Sequence, residues 1–499
     1  MNEHFLLIIF SVICLAKLFI YCWDRRKLYF LAWKFPGPFS LPIIGCTYRF
    51  MFVKTDDLFQ ILIGMIKSCK GPVMKFWMGP ELMLVFKKPS HVEKLLSTTK
   101  LLQKPNSYEF LKPFAGDGLI SGSGVQWKVA RRHCQPLFGQ KFVTESIGIS
   151  NKHINRFMDK LILKVDQPKF CIHHSIHLCV ADIIGESILG TELGAQKGRS
   201  KEFIDAMVDF YDVVYERITK PWYQIDLIYD MTELRRKTDF IRKIMRTQMD
   251  TVAENVRRMK KNDRCVIIDQ FKPTINDLDT IFKENSKFLD YKTYIDNLIT
   301  LYAASEDTIA QIAAATCFCL GMYPECQEKA AEEIKLLVGV NTTNVTYDDI
   351  MKLQYLDRCV KEALRLFPIA PFIMRKVTEE LTIDKWTLPK NVTVLVSIFS
   401  LHFSEKSWEK PMEFYPEHFE EEAVSKRHPY AFVPFSAGPR GCIGKLYAQV
   451  SIKVMLVNIL QRFKIHAEGK YEDVFKELKA DISVRSKIGF PVKLTRRKW

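Results

Sequence analysis

The stretch from Tyr291 to Tyr323 constrains this chain most. It is apolar on nearly every face, carries helix-favouring residues and stops before Pro324. A helix that is hydrophobic all round has to be buried. Thirty-odd residues make a rod ~45 Å long, enough to cross a whole globule. The rest of the chain must therefore wrap around it. The chain can do so: it has 499 residues, 47% of them hydrophobic, including 35 Phe. That composition excludes disorder, collagen-like repeats and a small disulfide scaffold. Strand-like runs occur near 72–86 and 376–397, the latter as Thr378–Asp384 and Val392–Ser397, while 125–370 is mainly helical in pattern. The fold class expected is mainly α, of the α+β type: a helical body with a small β-rich region. Length alone suggests about three domains, but no break is visible after residue 45.

The N-terminus predicts a membrane anchor. Phe5 to Trp23 gives nineteen residues with Lys17 as the one charge, and Asp24-Arg25-Arg26-Lys27 follows. Such a helix spans roughly 28 Å, and the basic cluster puts the body of the chain on the cytosolic side. Residues 28–45 contain Pro36, Pro38 and Pro42 and read as a stiff, extended connector. The expected division is 1–27 anchor and basic stop, 28–45 connector and 46–499 catalytic domain. Lys and Arg exceed Asp and Glu by 73 − 57 = 16, which favours anionic partners or a membrane surface. No nucleic-acid-binding motif accompanies the charge. The 13 Cys are scattered, without disulfide-framework or metal-site spacing, and imply reduced thiols.

Residues 435–444, Phe-Ser-Ala-Gly-Pro-Arg-Gly-Cys-Ile-Gly, form a tight loop ahead of a helix whose Leu446, Val450, Val454, Val457 and Leu460 share one face. Cys442 then sits at a helix N-terminus, where the dipole and free N–H groups favour thiolate. A thiolate with room around it can be a nucleophile or a metal ligand, and no His lies nearby in sequence to act as its base. A cysteine buried in a capping loop is the third reading.

The pattern Phe435-x-x-Gly438-x-Arg440-x-Cys442-x-Gly444 resembles the haem-binding signature of the cytochrome P450 family. The resemblance implies a cytochrome P450 fold, haem b as cofactor, and Cys442 as its axial iron ligand, the thiolate pushing electron density toward O–O cleavage. It also implies that Arg440 pairs with a haem propionate. Trp127-x-x-x-Arg131 and Arg375 carry the same implied role, with Phe435 beside the cofactor. In Ala304-Ser305-Glu306-Asp307-Thr308 the resemblance assigns proton relay, and a kink for oxygen and water, to Asp307 and Thr308. It places Glu362 and Arg365 in a core network that the family closes with an arginine, here His418. Ser305 stands where the family has glycine, and Ala304 where some members carry a haem-linked glutamate, so the haem is expected to be non-covalent. Lys352–Leu356 and Arg131-Arg132-His133 look like the fatty-acid ω-hydroxylase branch.

The resemblance thus implies a haem-thiolate monooxygenase in the endoplasmic reticulum membrane, facing the cytosol. It would insert one atom of O2 into an apolar substrate such as a fatty acid, lipid or xenobiotic. Electrons would come from NADPH through a separate NADPH-cytochrome reductase, because the chain has no GxGxxG after a strand. Arg132, His133 and Lys445 would add to the face that receives this partner. Pocket-lining residues are expected at Phe110–Phe114, Ile369–Ile373 and Ile488-Gly489. Two alternatives stand: a haem protein without turnover, motivated by His418 and Ser305, and a reductase-independent isomerase or dehydratase. His173 and His177 lie one helical turn apart, but no acid completes an HExxH metal motif.

Overall fold

A computed structural model describes residues 3–261, 283 and 290–499. Helix α1 (Glu3–Asp24) is apolar and long enough to cross a bilayer, and its Leu7–Asp24 window buries nothing against the rest of the chain. The chain turns at Arg25 into α2 (Arg26–Trp33). The extended connector expected over 28–45 is corrected here: it begins as helix, and Ala32 and Phe35 sit in the core beneath the main sheet. Tyr29 packs on Trp77 with ring centroids 5.1 Å apart. Apolar side chains within the proline-rich segment explain this docking, since burying them outweighs leaving the segment as a free spacer.

The sheet starts with a hairpin of β1 (Val73–Met78) and β2 (Glu81–Phe86), which pairs Val73 with Phe86. Next come α3 (Gly124–Leu137), α4 (Ile172–Ser187) and α5 (Lys201–Thr219). Part of the expected helical stretch, 262–282 and 284–289, lies outside the described residues. The long rod is α6 (Tyr291–Met322). It is capped by the Asp290 carboxylate, which accepts from Thr293 N at 2.8 Å, and ends where Pro324 cannot continue it. It packs against α4, against α7 (Gln354–Leu366) and against the helix at Glu233–Lys261.

Two strands then complete the sheet. β3 (Phe372–Lys376) runs antiparallel to β4 (Thr393–Ser397), and β4 runs parallel to β2, giving the order β1-β2-β4-β3. All five residues of β4 are buried, as expected for a central strand covered on both faces. In β3 the pleat buries Ile373 and Arg375 together. Helix α8 (Lys445–Arg462) follows the cysteine loop. It is not amphipathic, as the spacing suggested, but buried on every side from Val450 to Gln461. It lies between α6 and the helix at Gln140–Leu161, so both of its faces meet protein. Its polar residues are satisfied there: Lys453 reaches Ile350 O at 3.3 Å and Asp357 at 3.3 Å. The hairpin of β5 (Leu478–Ala480) and β6 (Val484–Ser486) returns the chain to α6.

Candidate haem-binding site

The cysteine loop is closed by a hydrogen bond from Cys442 N to Phe435 O at 2.9 Å. Phe435 is half-buried and packs against the core. Ser436 and Gly438 turn the chain with φ of 59° and 67°. Gly438 is required for a second reason. A Cβ there would lie 1.9 Å from Leu96 O, so only glycine lets the loop approach that backbone. The Cys442 thiol keeps accessible surface, yet protein encloses it enough for burial to dominate its chemistry. Burial raises its pKa above the ordinary thiol value. The Gly444 N–H and the charges of Arg131 and Lys445 lower it, but do not offset the burial. The expectation that the helix terminus alone favours thiolate is therefore corrected: desolvation of the anion is the larger effect. A cation bound to the sulfur reverses this, because a metal-bound thiol is deprotonated outright.

Beside the loop is a cluster of positive charge, with Arg375 buried and Lys104, Arg131 and Arg440 half-buried. Arg440 donates to three backbone carbonyls, Leu102 O at 3.0 Å, Leu119 O at 3.4 Å and Gly122 O at 2.8 Å. Its guanidinium lies 3.4 Å from the centroid of the buried Trp127 ring. Arg375 donates to Met374 O at 2.9 Å, and Arg131, one turn beyond Trp127, bonds Gln135 at 3.0 Å. The fourth cation is Lys104, above the Tyr108 ring at 4.0 Å. Burial and the charges of Arg375 and Arg131 push Arg440 down to about 9. Burial, Arg375 and Arg440 push Lys104 well below its ordinary value. Among the described residues no ion pair joins Lys104, Arg131, Arg375 or Arg440 to a carboxylate. Buried cations are costly unless paired. Such a set asks for a ligand with acid groups next to Cys442, and the two propionates of a haem meet that demand.

The structure thus brings together Cys442, Phe435, Arg440, Trp127, Arg131 and Arg375. Lys104 and Tyr108 join them without having been anticipated. Lys104 sits in an unremarkable loop sequence, and only folding reveals its like-charged neighbours.

On α6, Asp307 and Glu306 are buried, 3% and 1% exposed, and Thr308 Oγ1 bonds Ala304 O at 2.7 Å. Helix α6 continues through this point, and Thr308 returns its hydroxyl to the Ala304 carbonyl within it. Asp307 is held by Arg485 Nη2 at 2.8 Å and Ser483 Oγ at 3.2 Å, both from the β5–β6 hairpin. Of the expected pocket residues, Phe114 is buried against Phe210 of α5, with ring centroids 4.8 Å apart. Ile369 O accepts from Val484 N at 3.1 Å, beside the same hairpin. Ile488 is a correction. It is 53% exposed and lines an outer groove with Lys169, Phe318 and Glu477. The hairpin turns inward five residues earlier, at Ser483.

The network behind the loop is complete. Arg365 makes two bonds to Glu362, at 2.6 and 2.9 Å, and donates to His402 O, Pro411 O and Glu413 O. Glu362 also accepts from Tyr415 N at 3.0 Å and lies 3.1 Å from His418 Nδ1. His418 Nε2 accepts from Lys410 N at 3.3 Å. That bond fixes the tautomer, so Nδ1 carries the proton that Glu362 receives. A neutral imidazole therefore closes the network. Burial raises Glu362, but the Arg365 charge and the His418 and Arg365 bonds hold it below the usual carboxylate value. His173 and His177 form no metal cluster with acidic or cysteine partners among the described residues.

The sequence model of the family described as "Cytochrome P450" matches residues 35–489. Among curated proteins, the chain is 30% identical to "Cytochrome P450 4V2" of Rattus norvegicus, over 92% of this chain and 89% of that one. It is 29% identical to "Cytochrome P450 4c3" of Drosophila melanogaster, over 97% and 93% respectively. For "Cytochrome P450 4g1" of Drosophila melanogaster the identity is 28%, over 96% and 92%.

Proposed function

Since the chain belongs to the cytochrome P450 family of haem-thiolate monooxygenases, we propose that it is a membrane-anchored enzyme hydroxylating an apolar substrate, a fatty acid or related lipid first among the candidates. Residues 1–27 serve as its anchor and 46–499 as its catalytic body, on the cytosolic face of the endoplasmic reticulum. Cys442 would hold the haem iron through its thiolate. Arg440, Arg131 and Arg375, with Lys104, neutralise the two propionates, and Trp127 backs the Arg440 guanidinium. Phe435 would pack beside the haem. When bound, the haem would supply O2-activating chemistry that uses two electrons and two protons, one oxygen atom entering a substrate C–H bond and the other leaving as water.

The chain's own residues do the rest. Phe114 and Phe210 exclude water and hold an apolar chain by contact alone. Asp307 and Thr308 handle protons on α6. Electrons come from an NADPH-dependent reductase docking on the basic face around Arg132 and Lys445, where the surplus of positive charge suits an acidic partner. The lipid reading rests on the resemblance of Lys352–Leu356 and Arg131-Arg132-His133 to the fatty-acid ω-hydroxylase branch.

The observation that carries the proposal is Cys442 beside four cations, Arg375 buried and Lys104, Arg131 and Arg440 half-buried, none of which has a carboxylate partner among the described residues. The test is the reduced carbon monoxide difference spectrum of the purified protein, wild type against Cys442→Ala. Wild type should give the thiolate-type band and the variant should lose it. A band that survives the substitution refutes the assignment of the ligand. Reconstitution with reductase, NADPH and a fatty-acid panel then separates an oxygenase from a haem protein without turnover.

A further inference from the structure

About three turns before Asp307, α6 carries two buried polar residues that the reaction scheme above does not use. Asp296 and Asn297 are 1% and 0% exposed. Both bond the loop at 116–122, which lies between Phe114 and the start of α3. Asp296 Oδ2 accepts from Asp117 N at 3.2 Å, and Oδ1 accepts from Arg246 Nη2 at 2.6 Å. Arg246 comes from the helix at Glu233–Lys261. Asn297 Oδ1 accepts from Leu119 N at 3.1 Å, while its Nδ2 donates to Thr293 O at 2.7 Å. The two Asn297 bonds need opposite ends of the amide, so together they fix which end meets the loop. The loop is shaped for this contact. A Cβ on Gly116 would lie 1.8 Å from Asp296 Oδ2, and one on Gly118 would lie 2.1 Å from Thr300 Oγ1. Glycine at both positions lets buried backbone lie directly on α6.

The other side of this loop meets the cysteine loop. Arg440 donates to Leu119 O through Nη1 and to Gly122 O through Nη2, two of its three carbonyl partners. Leu119 is therefore held twice, by its N–H on α6 and by its C=O on Arg440. The loop between these contacts is braced: Ser121 Oγ donates to Gly116 O at 2.6 Å, and Gly122 N donates to Gly118 O at 2.7 Å. One path runs from Asn297 through Leu119 to the guanidinium. A second runs from Asp296 through Asp117 and Gly118 to Gly122 and the same guanidinium. Every step on both is a hydrogen bond or a covalent link. Where the loop sits decides where two carbonyls point, and so where Arg440 points. A charged group held by neighbours that are themselves held loses little freedom when it meets a ligand.

We propose that Asp296 and Asn297 are positioning residues for Arg440: they seat loop 116–122 on α6, and the seated loop holds the guanidinium ready for an acid group of the haem. The inference rests on the reading above in which Arg440 meets a propionate. Both residues act through the loop and not on the cofactor. Arg246 supplies the counter-charge that a buried Asp296 carboxylate requires. Loss of the seat leaves Arg440 present and charged but less fixed, so haem is held less firmly. The propionates are then less fully neutralised, which favours ferric over ferrous iron and lowers the reduction potential. A residue that only stabilised α6 would lower the melting temperature without moving the potential through Arg440.

The haem-loaded full chain is compared as wild type, Asn297→Ala, Arg440→Gln and the double variant. The readouts are transfer of haem to an excess of apoglobin, the reduction potential, hydrogen exchange of residues 116–122 and the melting temperature. Asn297→Ala removes the acceptor of Leu119 N, and haem transfer should be faster by roughly three- to tenfold, the scale of one lost hydrogen bond. The potential should fall, and exchange across 116–122 should rise. Arg440→Gln should speed transfer at least as much. The double variant should transfer haem no faster than Arg440→Gln alone, because the two substitutions remove parts of one chain of contacts. Equal increments in the two backgrounds, or a lower melting temperature with transfer and potential unchanged, overturn the proposal. Asp296→Asn keeps an oxygen for Asp117 N and nearly the same shape, so it carries the test if Asn297→Ala does not retain haem. Its smaller increase in transfer must likewise vanish beside Arg440→Gln. If Arg440→Gln alone changes neither transfer nor potential, the propionate assignment fails and the inference falls with it. An Arg440→Gln effect with Asn297→Ala and Asp296→Asn both silent refutes the seat alone.

Discussion

Replacing His418 is the most informative perturbation of the core network. In His418→Phe the ring is kept, but Glu362 loses the Nδ1–H bond at 3.1 Å and Lys410 N loses its acceptor at 3.3 Å. A hydrogen bond to a charged group contributes ~1.5–3 kcal/mol, and an orphaned N–H costs about 1–3 kcal/mol. Glu362 keeps Arg365 and Tyr415 N, so the network is weakened rather than broken, and a total of about 3–5 kcal/mol is expected. For a chain larger than 250 residues this corresponds to roughly 4–8 °C in melting temperature, extrapolating the size dependence of that shift. Restoring arginine should not help. The site is 4% exposed, the Trp408 and Tyr415 rings lie 5.3 and 5.1 Å from the His418 ring, and Arg427 is already stacked over Trp408 at 3.8 Å. His418→Arg should thus be no more stable than wild type. The assay is thermal melting of the haem-loaded protein at neutral pH, in a cycle with Glu362→Gln and the double variant. A coupling of at least ~1.5 kcal/mol is expected for residues in contact, and additivity within ~0.5 kcal/mol would refute the reasoning.

Two further outcomes follow from the geometry. Gly438→Ala should reduce both haem retention and melting temperature, because its Cβ meets Leu96 O at 1.9 Å and φ is 67°, whereas Gly444→Ala, with nothing within 4 Å, should change either one little; equal effects would show that the loop shifts freely. Glu362 has a folded pKa below its unfolded value, so its stabilisation is complete above the unfolded carboxyl pKa of about 4.3 and is lost as the pH falls through the lower folded value. Acid melting curves should therefore fall more steeply for wild type than for Glu362→Gln, and parallel curves would contradict that sign.

Where periodicity and local chemistry are strong, the chain could be read directly. The all-apolar run at 291–323 became the central helix within one residue, since burial on every face leaves no other place for it. The strand-like runs near 72–86 are the hairpin of β1 and β2. Reading failed where a segment's partners are distant in sequence. The strand-like run was read only from residue 376, and β3 begins earlier, at Phe372, because β4, twenty residues on, pairs with it. Helix α8 shows an apolar face in sequence, but its opposite face is covered too, by elements that a local pattern cannot include.

At the site the division is the same. The loop sequence by itself determined that Cys442 lies at a helix entrance, flanked by glycines and an arginine, because backbone angles and helix termini are properties of neighbouring residues. Only the tertiary structure decided that Lys104, Arg131, Arg375 and Arg440 gather beside the cysteine loop, and that His418 suffices as a donor to Glu362. It also decided that Glu306 meets His177 while Asp307 meets Arg485. Electrostatic pairing depends on distance in space and on exclusion of water, and both are set only once the helices and the sheet have packed.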